Sequence, residues 1–177
     1  TVSFNSMETI GSTVLSVNKQ IYKNIEHILI DGKSEDNTVS IFKKLSKREN
    51  FIISETDTGL YDAMNKGIFH SSGDFILFLN SDDIFSTKYS ISKLVENILS
   101  ESSVVYGNIE FLNKKGNKMR YWSPGFVRGG KLSGWHPPHP SLMASKTVLN
   151  EIGGFNTKYS ISADYDLILR LMAIGKL

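Results

Sequence analysis

The chain has 177 residues, of which 40% are hydrophobic, and it contains no cysteine. This length fits one globular domain with a substantial core, and the lack of cysteine excludes disulfides and thiolate metal sites. The formal net charge is only +2. The densest basic group, Lys43, Lys44, Lys47 and Arg48, falls on the polar side of a predicted helix, so we expect a solvated surface and no nucleic-acid partner. No apolar run approaches the roughly 20 residues that span a bilayer.

Strand and helix patterns alternate through the first hundred residues. Apolar spacing predicts a helix from residue 10, a strand over 25–30, a helix through 39–45, a strand over 51–54 and a helix over 60–70. The apolar stretch FILFL at 75–79 predicts a strand that is buried on both faces. A stripe at residues 91, 94, 95, 98 and 99 predicts an amphipathic helix. This alternation indicates the α/β class, with a parallel, doubly wound sheet.

The second half of the chain has a different pattern. Residues 104–111 and 118–122 flank a Gly-containing turn and predict a small antiparallel strand pair. The segment 124–140 contains four prolines and four glycines, and loops of this length are usually functional or mobile. We expect a short helix after Ser145 and a last helix from about residue 163, which would bury residues 167, 171 and 174.

Four carboxylates follow three successive predicted strands: Asp31, Asp57, Asp82 and Asp83. The carboxyl ends of parallel strands meet at one edge of an open sheet, where ligands bind. Two like charges 4 Å apart repel by roughly 4 kcal/mol at an effective dielectric of about 20, so we expect a lysine or a metal ion among them. A divalent metal would also admit an anionic diphosphate. Each turn taken alone is also explained by ordinary Asp turn chemistry.

Five motifs, in this order, resemble family 2 glycosyltransferases of the GT-A fold: TVSFN, IDGKSEDNT, ETDTGLYDAMNKGI, GDFILFLNSDD and SADYDLILRL. The resemblance covers nearly the whole chain and extends to bacterial enzymes of cell-surface polysaccharide synthesis. It implies a Rossmann-like, mostly parallel sheet flanked by helices, in a single catalytic domain over 1–177. Residues 1–100 would bind a nucleotide-sugar, and residues 101–177 would bind the acceptor and carry the catalytic base. Both ends of the chain look truncated.

The resemblance also implies roles for the four carboxylates. Asp31 would read the nucleotide base, commonly uracil, and Asp57 would be a second donor-binding acid. Asp82 and Asp83 match the family's variant of the DXD motif. Asp82 would contact the ribose or the sugar, and Asp83 would hold a Mn or Mg ion that bridges the diphosphate.

Asp164 is predicted to be the catalytic base. The family usually has Glu-Asp ahead of a helix, whereas this chain has Ala163-Asp164, so the Asp is kept and its acidic neighbour is missing. Independently, a helix N-terminus favours the ionised carboxylate, which is the form that removes a proton from a hydroxyl. Without the resemblance, an ordinary charge at a helix N-terminus is the simpler interpretation.

Two further segments are expected to contact substrate. In the predicted helix over 60–70, the resemblance implies that the donor pocket is lined by Tyr61, Asp62, Asn65 and Lys66. Tyr61 also fits a core position. In the segment 134–140, where the family places acceptor contacts, Trp135 could stack on a sugar and His139 could donate to a phosphate or complete a metal shell. A buried loop anchor fits Trp135 equally well, and a surface group fits His139.

These features predict a metal-dependent, inverting glycosyltransferase that moves a sugar from a nucleotide-sugar, most simply a UDP-sugar, to a hydroxyl of a saccharide or lipid-linked saccharide. Asp62 is common in polysaccharide-making members, which favours surface polysaccharide or glycolipid synthesis in the cytoplasm or at the inner face of the membrane. The alternatives are a nucleotidyltransferase, which normally needs a Gly-rich phosphate loop that TVSFNSMETIG lacks, and an inactive nucleotide-sugar-binding protein. The intact Asp82, Asp83 and Asp164 argue against inactivity.

Overall fold

A computed structural model describes residues 1–98, 103–113, 115–126 and 133–177. Its strands and helices are β1 (Val2–Ser3), α1 (Ile10–Asn18), β2 (Glu26–Asp31), α2 (Thr38–Leu45), β3 (Glu49–Ser54), α3 (Leu60–His70), β4 (Phe75–Leu77), α4 (Ser90–Glu96), β5 (Val104–Tyr106), β6 (Ile109–Leu112), β7 (Lys118–Trp122), β8 (Leu142–Ser145), α5 (Lys146–Glu151) and α6 (Ala163–Ala173). None of the helices in these ranges is both long enough and apolar enough to cross a membrane.

The first three strands form the predicted parallel sheet, in the order β1-β2-β3. In this sheet, Asp31 lies opposite both Ser3 of β1 and Ser54 of β3. The three strands therefore end at the same level, and α1 and α2 are the connections between them. The expected alternation of strands and helices is confirmed for this part of the chain.

Helices cover both faces of β2. Leu29 packs with Ile10 of α1 and Phe42 of α2, whereas Ile30 packs with Met64 of α3. A strand that is covered on both faces needs consecutive apolar residues, which explains the run ILI at 28–30. Full burial of one such side chain contributes about 1.5–3 kcal/mol.

The fourth strand differs from the prediction. β4 lies antiparallel to β8, and β8 also pairs antiparallel with β5. A parallel bridge between Val2 and Asn80 links this second sheet to the first. The segment that contains β4 is therefore parallel to β1, as predicted, but its other neighbour is β8, an antiparallel strand that was not predicted. β8 has only four residues, too few to give a clear period-two signal.

The other predictions for the later part of the chain are confirmed except in some element bounds. The antiparallel pair is confirmed as β6 and β7, although residues 104–106 form β5 and pair with β8 instead. α6 buries Leu167 and Leu171 completely, but Ile174 lies beyond its end and is 41% exposed, contrary to the prediction. α4 ends at Glu96, so residue 98 lies outside the helix. Residue 99 and residues 127–132 of the proline-rich segment lie outside the described residues.

The carboxylate of Asp31 connects the ends of the three parallel strands. Its Oδ1 accepts a hydrogen bond from the Ser3 hydroxyl at 2.9 Å, and its Oδ2 accepts one from the Ser54 hydroxyl at 2.7 Å. Ser34 donates to it through both its amide and its hydroxyl. Asp31 is fully buried, so these four bonds replace its hydration. A buried charge of this kind is tolerated only while its partners remain in place.

We expect Asp31→Ala to lower the free energy of unfolding by roughly 2–4 kcal/mol, because three hydroxyls and one amide, among them the buried Ser3 hydroxyl, lose their acceptor. Urea unfolding of the complete protein measures this change. Ser3→Ala, which removes one of the four bonds, should cost only about 1 kcal/mol. Equal urea midpoints for Asp31→Ala and wild type would contradict the role of Asp31 as the connection between the strands.

Candidate active site

A cleft of about 640 Å³ lies at the carboxyl ends of the parallel strands. The loop after β1, the loop before α3, the first turn of α3 and the turn after β4 surround it. The lining residues include Ser6, Asp57, Leu60, Asn80 and Asp82. Ligands of open α/β sheets bind at this edge, so the cleft is the candidate substrate site.

Asp57 lies in the cleft, and its role as a donor-binding acid stays a prediction. Its Oδ1 accepts a hydrogen bond from the Gly59 amide at 2.9 Å. A Cβ atom at Gly32 would lie 2.9 Å from Oδ2 of Asp57 and 3.4 Å from the ring of Phe4. Gly32 therefore lets both side chains approach the backbone after β2. Phe4 lines the same cleft and is 65% exposed. Phe4 was not predicted as a site residue, since its sequence signal is only that of a large apolar residue directly after a strand.

The base-reading role of Asp31 stays a prediction. A carboxylate has about four lone-pair positions, and Asp31 already accepts four hydrogen bonds while being 0% exposed. A nucleotide base could reach it only if one of the serine hydroxyls turned away. Asp57, in contrast, already lines the cleft.

The turn after β4 carries the predicted metal ligand. Asp82 is exposed and lines the cleft, whereas Asp83 is half-buried and accepts a hydrogen bond from Nδ2 of Asn80 at 3.0 Å. Burial and the charge of Asp82 raise the pKa of Asp83, although the bond from Asn80 opposes this effect. Among the ion pairs of the described residues, none involves Asp82 or Asp83. The Oδ1 atom of Asn80 is buried without a hydrogen-bond partner.

A divalent cation fits this turn. Asp82, Asp83 and the amide oxygen of Asn80 are hard oxygen ligands of the kind that Mg and Mn prefer, and a cation would offset the repulsion between the two carboxylates. In the part of the chain that the structure describes, no three His, Asp or Glu side chains are grouped closely enough to hold a metal. The predicted meeting of carboxylates at one edge of the sheet holds for Asp57 and Asp82, which line the cleft, whereas Asp31 is buried beneath hydroxyls at the end of β2. Phosphate oxygens or water would have to complete the metal shell.

Asp164, the predicted base, lies half-exposed in the first turn of α6. Its Oδ1 accepts a hydrogen bond from the Tyr61 hydroxyl at 3.1 Å. Burial and the charge of Asp164 raise the pKa of Tyr61, so its hydroxyl remains a protonated donor. Ser162, which precedes the helix, has a φ of +68°, a left-handed conformation that costs a non-glycine residue energy. The chain thus enters α6 through a strained residue two positions before the candidate base.

Four rings form one aromatic cluster near Asp164. Tyr61 stacks on Phe155 with 5.5 Å between ring centroids, and His139 stacks on Phe78 at 5.8 Å and meets Phe155 edge-on at 5.5 Å. His139 is 8% exposed, and its Nε2 has no hydrogen-bond partner. Burial lowers the pKa of His139, and the charge of Asp164 opposes this shift. The interpretation of His139 as a surface group is therefore wrong.

Two predicted pocket residues, Asp62 and Lys66, support the loop that precedes α3. Asp62 accepts a hydrogen bond from the Thr58 amide at 2.9 Å. The ammonium group of Lys66 lies 2.8 Å from the Glu55 carboxylate and donates to the Thr56 carbonyl at 2.9 Å. The Glu55 carboxylate raises the pKa of Lys66. Neither residue lines the cleft, so both contact the segment that carries Asp57 rather than the cleft itself.

The remaining two predicted contacts bind backbone groups. Asn65 exchanges two hydrogen bonds with the backbone of Phe155. Trp135 is half-buried, donates from Nε1 to the Pro124 carbonyl at 2.8 Å and meets the ring of Tyr106 edge-on. The loop-anchor interpretation of Trp135 is supported by these contacts, and its predicted stacking on a sugar stays a prediction.

Known proteins are similar to this chain in sequence. The family model for glycosyl transferase family 2 matches residues 1–152. The uncharacterized glycosyltransferase Rv1514c of Mycobacterium tuberculosis is 33% identical over 177 residues, which cover 96% of this chain and 66% of that protein. The Escherichia coli protein WfgD, named UDP-Glc:alpha-D-GlcNAc-diphosphoundecaprenol beta-1,3-glucosyltransferase, is 32% identical over 134 residues, which cover 73% of this chain and 52% of that protein. The chain thus spans about half to two thirds of the length of these relatives.

A solved structure shares the fold. Glucosyl-3-phosphoglycerate synthase from Mycobacterium tuberculosis, in complex with Mn2+, UDP and glucosyl-3-phosphoglycerate, matches with a TM-score of 0.70 and 18% identity over 99% of this chain and 64% of that chain. At 18% identity this similarity shows the fold alone. The family is shown by the family model, which covers most of the sequence. Together they show that the chain belongs to glycosyl transferase family 2 and has the GT-A fold.

Proposed function

We propose that this glycosyltransferase domain transfers a sugar from a UDP-sugar to a hydroxyl of a saccharide or lipid-linked saccharide, with inversion, in surface polysaccharide or glycolipid synthesis. The observation that carries the proposal is the attachment of Asp164 to α3 through Tyr61, because the first turn of α3 lines the cleft that contains Asp57 and Asp82. The name of WfgD, which specifies UDP-Glc and a lipid diphosphate acceptor, supports the substrate classes. An acceptor of that kind would bring the protein to a membrane surface.

The donor is proposed to bind in the cleft formed by residues 1–100. Phe4 offers an exposed ring on which the base can stack, and Asp57 can accept a hydrogen bond from the base. Asp31 can take part in this contact if Ser34 turns away on binding. Asp82 can accept hydrogen bonds from the ribose or the sugar. Asp62 and Lys66 act on the donor through the loop that carries Asp57.

Residues 101–177 are proposed to provide the acceptor side and the base. Asp164 removes a proton from the acceptor hydroxyl while that oxygen attacks the anomeric carbon. The bond from this carbon to the diphosphate breaks on the opposite face, and the nucleoside diphosphate leaves with the electron pair, which inverts the centre. Trp135 and His139 lie in the segment assigned to acceptor contacts.

A bound Mn or Mg ion would stabilise the charge that grows on the leaving diphosphate. Asp83 is the proposed ligand, with Asp82 and Asn80 beside it in the same turn. The support for this assignment is the raised pKa of Asp83, the unpartnered amide oxygen of Asn80 and the lack of an ion pair at either carboxylate in the described ranges.

The reaction is tested by incubating the complete protein with Mn2+, a panel of UDP- and GDP-sugars, and lipid-linked saccharide acceptors. We expect UDP release that depends on the acceptor, and a product whose anomeric configuration, read by NMR, is opposite to that of the donor. Retention of configuration would contradict the single displacement. In a parallel incubation with a nucleoside triphosphate and a sugar phosphate, release of pyrophosphate would indicate the nucleotidyltransferase. Donor binding without turnover in the first incubation would indicate the inactive binding protein.

Asp164→Asn should lower kcat for transfer by roughly 10²- to 10⁴-fold, because an amide cannot take the acceptor proton. The donor KM should stay within about twofold, since Asp164 is not needed to bind the nucleotide. Steady-state kinetics at saturating acceptor measure both constants. The exposed Asp74 provides the matched control, and Asp74→Asn should leave kcat unchanged. A kcat of Asp164→Asn close to that of wild type would rule out Asp164 as the base.

Asp83→Asn tests the metal site through stability. The pKa of Asp83 is raised in the folded state, so the protonated carboxyl group favours folding. This stabilisation is fully present below the unfolded-state pKa of roughly 3.9 and is lost as the pH rises through the folded-state pKa. We therefore expect Asp83→Asn without metal to melt roughly 1–3 °C above wild type at pH 7 and no higher near pH 3. Mn2+ should raise the Tm of wild type and leave that of the variant unchanged. An equal Mn2+ effect on both proteins would contradict the assignment.

A further inference from the structure

The side chain of Asn65 is paired with the backbone of Phe155 in both directions. Its Nδ2 donates to the Phe155 carbonyl at 2.9 Å, and its Oδ1 accepts from the Phe155 amide at 2.8 Å. Phe155 is 2% exposed, so loss of Asn65 would leave two backbone groups of a buried residue without partners. Such a loss is unfavourable, because buried backbone groups need hydrogen-bond partners. Both polar groups of the Asn65 side chain are therefore bound to the backbone of Phe155.

Gly154 makes the pairing possible. Its φ is +63°, and a Cβ atom at this position would lie 2.5 Å from Oδ1 of Asn65, closer than any real Cβ contact. A glycine is thus required both for the left-handed backbone conformation and for the close approach of the amide.

Arg170 holds the same turn from the other side. Its guanidinium group donates to the carbonyls of Ile152 at 2.6 Å and Gly154 at 2.7 Å, and its Nε donates to the carboxylate of Asp166 at 2.8 Å. Asp166 fixes the direction of the guanidinium group, because the two residues lie one turn apart on α6. The turn 152–155 is therefore clamped between α3 and α6.

The clamped turn ends in Phe155, whose ring contacts two neighbours of the candidate base. The centroid of the Phe155 ring lies 5.5 Å from those of Tyr61 and His139. Tyr61 donates to the carboxylate of Asp164, and His139 interacts with it electrostatically. A shift of Phe155 would therefore change the position of the hydroxyl that orients the Asp164 carboxylate.

We propose that Asn65 and Arg170 are positioning residues, which set the geometry of Asp164 through Phe155 and Tyr61 and do not contact the donor. This inference rests on the proposed function, and for Asn65 it replaces the donor-lining role that the family resemblance implies. The residues come from three separate motifs, YDAMNKG, IGGF and ADYDLILR. A displacement of about 1 Å at a reacting group can cost roughly 10²-fold in rate. A small displacement of the turn 152–155 is therefore enough to lower the rate of transfer.

The test compares kcat with the donor KM in the complete protein, at a temperature well below the Tm of each variant. Asn65→Ala should lower kcat roughly 10- to 100-fold and leave the donor KM within about twofold. An unchanged kcat would overturn the inference, and so would a donor KM that rises at least fivefold, since that result identifies a donor contact. Asn97→Ala is the matched control, because it removes an exposed amide that donates to the Lys93 carbonyl on α4.

Arg170→Lys provides a milder variant if Asn65→Ala folds poorly. It keeps the positive charge beside Asp166 but loses the planar fork that reaches two carbonyls. The inference expects the same signature, a lower kcat with an unchanged donor KM. A wild-type kcat for Arg170→Lys, or a loss confined to the donor KM, would overturn the role of Arg170.

Gly154→Ala tests whether Asn65 and the turn act as one unit. The added methyl group collides with Oδ1 of Asn65 in wild type, whereas Asn65→Ala removes that atom. Gly154→Ala should therefore lower kcat by a smaller factor in the Asn65→Ala background than in wild type, and equal factors would contradict the clamp. A wild-type protein that transfers no sugar from any donor would contradict the proposed function, whereas an active wild type with an equally active Asn65→Ala contradicts this inference alone.

Discussion

The candidate site is built on the four hydrogen bonds that the buried carboxylate of Asp31 accepts. They bring the ends of β1, β2 and β3 to one level through Ser3, Ser34 and Ser54. The loops that leave these strands then surround a common cleft. Because a buried carboxylate loses its hydration, it tolerates few alternative arrangements of its partners. The edge of the sheet is therefore shaped by a residue that is itself hidden from the cleft.

α3 connects this edge to the second half of the domain. Its first turn lines the cleft, Tyr61 donates to Asp164 on α6, and Asn65 pairs with Phe155. Donor binding and proton removal would thus depend on one helix of 11 residues. Such an arrangement keeps the relative position of the two functions rigid, since a helix with a buried face at Met64 and Ile68 cannot move without opening the core.

Much of the fold could be predicted from local patterns, and the errors have identifiable causes. α3 was predicted with its observed bounds because its apolar positions repeat with helical spacing over 11 residues. β8 was missed because four residues carry little periodic signal, so the antiparallel neighbour of β4 was not predicted. Asp57 and Asp82 were correctly expected at the sheet edge, since the carboxyl ends of strands in one parallel sheet coincide.

The sequence by itself determined the family, the alternation of strands and helices, and the residue types available for the chemistry, because these follow from motif order and periodicity along the chain. The tertiary structure alone decided which polar groups face the cleft. Asp31 lies beneath three serine hydroxyls, His139 lies among aromatic rings, and Asn65 binds a backbone turn 90 residues away. The direction of a hydrogen bond or a buried ring depends on partners that are distant in sequence, and no local pattern records them.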